Sequence, residues 1–135
     1  MRSVPCFLLL LCLAGCQSAE KASVQPLPAG GPPLTYSDIV LRGKNQVSYA
    51  HESFYRDQWD EVKRAATAMK ETSAQLGTLE PDHVPLARRS QFAKLAKEWA
   101  EAADQLQTSG QAKDADKTTA AFTKLHLVIR QLLVE

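Results

Sequence analysis

The chain has 135 residues, with 16 Lys and Arg against 15 Asp and Glu, and 44% of its residues are apolar. A near-neutral balance gives no electrostatic steering toward nucleic acid, and this length leaves room for one compact domain rather than two.

The chain opens with Met1-Arg2-Ser3, one positive side chain ahead of the apolar run from Val4 to Ala14. That run ends at Leu13-Ala14-Gly15-Cys16, which reads as a signal peptide over residues 1–15 closed by a lipobox. The small Ala14 and Gly15 let the chain lie extended in a peptidase cleft, and the Cys16 thiol is free to take diacylglycerol. The apolar stretch is well short of the roughly 20 residues that a membrane-spanning helix needs. Lipid on Cys16 is therefore the expected membrane contact, facing the periplasm in the cell envelope. Gln17, rather than Asp, follows that cysteine and points to the outer membrane in typical Gram-negative bacteria.

Cys6 and Cys12 leave with the leader and Cys16 is consumed by the anchor, so no thiol is left for a disulfide, a cysteine metal site or a thioether to haem. Removing Arg2 with the leader leaves fifteen basic and fifteen acidic side chains. Residues 16–35 follow as a tether rich in Pro and Gly, at Pro26, Pro28, Gly30-Gly31 and Pro32-Pro33, with too little apolar surface to fold.

Residues 36–135 carry apolar side chains at helical spacing in four stretches and nothing that reads as a strand. The first runs through Tyr36, Val40, Gly43, Val47, Ala50 and Phe54, and the second through Trp59, Val62, Ala66, Met69, Ser73 and Leu76, ending near Gly77. After the turn Pro81-Asp82-His83-Val84-Pro85, the third takes Phe92, Leu95, Trp99, Ala102 and Leu106 and ends near Ser109-Gly110. The fourth, capped by Asp114, uses Ala115, Thr118, Phe122, Leu125, Ile129 and Leu132. An all-α, up-down-up-down four-helix bundle follows from similar lengths and short connections. Between the first two stretches, Arg56-Asp57-Gln58 offers no Gly or Pro to force a turn, and one continuous helix there would make a three-helix protein.

The segment Phe122-Thr123-Lys124-Leu125-His126-Leu127-Val128-Ile129-Arg130 resembles the haem-attachment end of the cytochrome c prime family. There the last helix carries Cys-x-x-Cys-His and, after two more residues, an apolar or aromatic residue and Arg. His126, Ile129 and Arg130 match, while Phe122 and Leu125 replace the two cysteines. Asp57-Gln58-Trp59-Asp60-Glu61-Val62 is similar to the start of the family's second helix, and Phe92 to Leu106, with Ala102-Ala103, to its third, so the likeness spans roughly residues 37–134.

The resemblance implies a four-helix bundle that has lost covalent haem, since neither Phe122 nor Leu125 can form a thioether. Both lie in the seam, where they would fill the volume that porphyrin occupies in such relatives. Haem b held without covalent bonds is the alternative, through His126 with an empty distal side or with Met69 or His51 opposite, and with Arg130 within reach of a propionate. Counting inward from the helix ends places His51 roughly 9 Å along the axis from His126 and Met69 roughly 5 Å. The family's dimers imply a homodimer as one mode of association.

Each residue also has an ordinary reading. His126 fits a half-buried histidine satisfied by one hydrogen bond, Arg130 a cation suited to a helix C-terminus, Met69 core filler, and Trp59 and Trp99 large core or boundary side chains. His51 and Tyr49 fit the flank of the first helix, and His83 a solvated loop. Lys94 with Glu98 and Lys97 with Glu101 are surface pairs. No metal-ligand spacing, phosphate-cradling loop or nucleophile motif is present, so neither catalysis nor a metal site is expected. The expected role is a non-enzymatic binding or structural module with a protein partner that the sequence does not name.

Overall fold

The computed structural model describes residues 18–133. The expected leader at residues 1–15 and the expected lipidation of Cys16 lie outside the described residues. Six α-helices are present among them and no strand: α1 Ala19–Ser23, α2 Tyr36–Tyr55, α3 Trp59–Gly77, α4 Leu86–Arg89, α5 Phe92–Ala112 and α6 Ala115–Leu132. Four are long; α1 and α4 are short additions that apolar periodicity did not reveal. No helix among the described residues is long and apolar enough to cross a membrane.

The long helices start where local chemistry favours it. Thr35 and Asp38 form a reciprocal capping box at α2, and the Asp114 carboxylate accepts the backbone N–H of Lys117 at α6. Both carboxyls are held below the usual carboxylate range, Asp38 chiefly by the Thr35 hydroxyl and Asp114 chiefly by the Lys117 backbone N–H.

Polar side chains join the long helices to one another. Lys70 of α3 reaches Asp104 and Gln107 of α5, while Thr67 of α3 accepts from Gln107. Lys124 of α6 donates to Gln105 of α5, and the Thr118 hydroxyl donates to that of Ser109. The Tyr36 hydroxyl at the start of α2 donates to the Leu132 carbonyl at the end of α6, 2.7 Å away. Burial raises the Tyr36 pKa against the opposing pull of Arg88.

The apolar seams read from periodicity form the core. Val40, Val47, Ala50, Val62, Ala66, Met69, Leu76, Leu95, Trp99, Ala102, Leu106, Phe122, Leu125, Ile129 and Leu132 are all buried. Gly43 is the tightest point: a Cβ there would lie 2.2 Å from two carbons of the Trp99 indole. Trp99 is fully buried, and among the described residues its indole N–H has no partner.

One local expectation holds and two change. The break at Arg56-Asp57-Gln58 is real and needs no Gly or Pro, because Asp57 itself takes the left-handed conformation at φ 58°. The Gln58 N–H then reaches back to the Ser53 carbonyl, and the Asp57 carboxylate accepts from the Trp59 indole. Helix α5 does not stop near Ser109-Gly110. Both residues are buried inside it, it runs to Ala112, and Lys113 at φ 52° makes the left-handed exit.

The other change concerns residues 16–35, read as an unstructured tether. From Ser18 they are described, and Ser23 and Val24 are buried against α2. The buried Gln46 side chain donates to the Ser23 carbonyl and to the Thr72 hydroxyl, tying α1 to α2 and α3. Arg42 donates to the Gln25 carbonyl. Composition missed this because one buried Val and a few backbone acceptors are enough when the neighbouring helix supplies the donors.

Candidate functional site

The positions singled out by sequence converge on the face between α2 and α6. Phe122 is 2% exposed and Leu125 fully buried, so the two residues at the cysteine positions are core side chains. His126, next along α6, is exposed, and Arg130 is exposed one turn further on. Met69 is fully buried in the core cluster.

His51 departs from its expected place. Its ring centre lies 4.7 Å from that of Phe122, 4.8 Å from that of Tyr55 and 5.3 Å from that of His126. The expected axial offset of roughly 9 Å assumed that the helix ends coincide. The contact of Gly43 with Ile129, together with that of His51 with Phe122, instead puts His51 level with Phe122. One helical turn, about 5.4 Å, separates that level from His126. Side chains lean toward the N-terminus of their own helix, and on antiparallel helices those directions converge, so the two imidazoles close the remaining distance.

The surroundings of the pair are aromatic on one side and wet on the other. Phe54 packs on Phe122 and, edge-on, on Trp59, extending the aromatic cluster to the start of α3. His51 is half-buried, and its pKa is lowered first by desolvation and then by the charge of His126. Beyond His126 an open groove of about 460 Å³ is lined by Lys44 of α2 and by Thr123, His126, Ile129 and Arg130 of α6.

The site does not fit an enclosed haem. Phe122 and Leu125 are buried side chains in the core, and Phe122 and Tyr55 pack against the His51 ring. Two trans imidazoles on one iron have ring centres about 6.4 Å apart, taking bonds of about 2 Å, and His51 and His126 are closer than that. Among the described residues, no group of three His, Cys, Asp or Glu side chains is gathered for a metal.

The other expected surface features take simple places. His83 is exposed in the loop before α4, where Asp82 pairs with Arg89 at 3.6 Å. Lys94 with Glu98 and Lys97 with Glu101 pair at 3.7 Å along α5. Sequence reasoning missed Gln46, a buried polar residue in the middle of α2. Its signal was faint: an amide on the apolar stripe, one residue before Val47.

No protein-family model, curated protein or solved structure matches this chain.

Proposed function

We propose that this chain is a lipid-anchored, extracytoplasmic up-down-up-down four-helix bundle of cytochrome c prime-like ancestry, without covalent haem, working as a non-enzymatic binding or structural module. The observation that carries this reading is the burial of Phe122 and Leu125, which fill the seam where the resembling family attaches its cofactor. A scaffold that packs its former site closed retains stability and loses the chemistry. The antiparallel contacts of α2 with α6 and of α5 with both α3 and α6 support the bundle topology. The lipobox ending at Cys16 supports the anchor.

The b-type haem reading keeps one observation on its side: the groove beside His126 is open, with Lys44 and Arg130 placed to meet carboxylates. That haem would lie on the surface, with one face in water, and its attachment would depend on His126 alone.

The test is made on the protein in its host. Fatty-acid label incorporated into the wild type and lost in Cys16→Ser, together with a purified protein lacking a Soret band, is the expected result. Label retained in Cys16→Ser, or a stoichiometric Soret band in the protein as isolated, contradicts the proposal.

A further inference from the structure

We propose that His51 and His126 form a two-imidazole binding site for a divalent transition-metal ion, for which Cu(II) serves as the probe. Histidines this far apart in sequence show no ligand spacing, so only the register of α2 against α6 reveals the pair. The geometry is specific. A metal–nitrogen bond of about 2.0–2.1 Å, with about 1.1 Å more to the ring centre, puts each centroid about 3.2 Å from the ion. Two rings at a tetrahedral angle then stand about 5.2 Å apart, and at a right angle about 4.5 Å. The observed separation of 5.3 Å meets the tetrahedral value, and the rings are inclined at 59° rather than stacked.

The chemistry of the surroundings agrees. Phe122 packs against the His51 ring with centres 4.7 Å apart, and the exposed His126 leaves its side of the pair accessible to water or a small anion. Because no third His, Cys, Asp or Glu joins the pair among the described residues, the site has no ligand set tailored to one metal. Affinity then follows the general order for nitrogen donors, in which Cu(II) exceeds Ni(II), Co(II) and Zn(II). The site is independent of the lipid anchor and of the haem reading, since it uses the space between two side chains rather than a porphyrin cleft.

The experiment is a titration of the full mature chain with Cu(II), followed by electron paramagnetic resonance and by thermal unfolding. One equivalent is expected to give an axial signal with superhyperfine splitting from two nitrogens and to raise the unfolding temperature. His126→Gln removes an exposed side chain, so the variant folds, and it should lose about tenfold or more in affinity together with the two-nitrogen signal. His51→Gln should do the same. His83→Gln, which changes the chain's remaining histidine, should retain both. Equal Cu(II) affinity in the wild type and His126→Gln, or a signal lost only in His83→Gln, overturns the proposal. Should His51→Gln unfold, the His126→Gln comparison decides alone.

Discussion

The Trp99 indole lies across the backbone of α2 at Gly43, so close that a single methyl group there would stand 2.2 Å from two of its ring carbons. The indole reaches across the core from α5 to α2, and Gly43 receives it because it has no side chain. The expectation is that Gly43→Ala destabilises by about 1–3 kcal/mol, the cost of overpacking a filled core. Alanine's better helix propensity offsets only part of this, up to about 1 kcal/mol. Combining it with Trp99→Phe should recover part of the loss, because the smaller ring leaves room for the methyl and carries no unpaired N–H. Thermal unfolding of the two single variants and the double variant measures the coupling. Additive losses would contradict the contact.

Two positions at the end of α5 should respond in opposite ways to what glycine usually signals. Lys113 occupies the left-handed exit at φ 52°, so Lys113→Gly should stabilise by about 1 kcal/mol. Gly110 is an interior helical residue whose added Cβ would meet Val62 and Lys63 side chains at 3.5 Å, ordinary contact distance. Gly110→Ala should therefore also stabilise, by about 0.5–1 kcal/mol. Denaturant midpoints of both variants check this, and a loss in Gly110→Ala would return that residue to the role of helix stop.

Much of this fold was legible because a long amphipathic helix writes its buried face at regular spacing. The four seams, the Asp114 cap and the α5 ion pairs all obey that local rule. What was not legible depended on relations between helices. The left-handed turns sit at Asp57 and Lys113 rather than at glycine, because helix packing, not intrinsic preference, fixes where each chain reversal falls. The His51–His126 pair depends on axial register, which the contact of Gly43 with Ile129 and Trp99 sets and which no count from helix ends could supply. Helix α1 depends on Gln46, whose partners come from two other helices.

Gln46→Ala should cost about 1–3 kcal/mol, because it leaves the Ser23 carbonyl without its buried donor. Its distinguishing effect is local. Backbone amides from Ala19 to Val24 should exchange faster with solvent while those of α5 and α6 change little, and uniform acceleration across all helices would contradict the local role.

Acid should weaken the fold in two separable ways. The His51 pKa is depressed below 6.5 in the folded chain, so its contribution is fully present above that pH and is lost as pH falls through the folded value. His51→Gln should flatten the pH dependence of the unfolding temperature just below 6.5. Asp114 is depressed below 3.8, so its cap persists to lower pH, and the difference between the wild type and Asp114→Ala should close only below that value. Unfolding temperatures taken across both ranges separate the two, and a His51→Gln profile parallel to the wild type would contradict the first.

The filled seam at Phe122 and Leu125 is tested most directly by titrating the mature chain with haemin and recording the Soret band beside His126→Ala. Weak absorbance, equal in the two proteins and without a stoichiometric end point, is the predicted result. A sharp one-to-one Soret shift that disappears in His126→Ala would contradict the haem-free reading and make His126 a haem ligand.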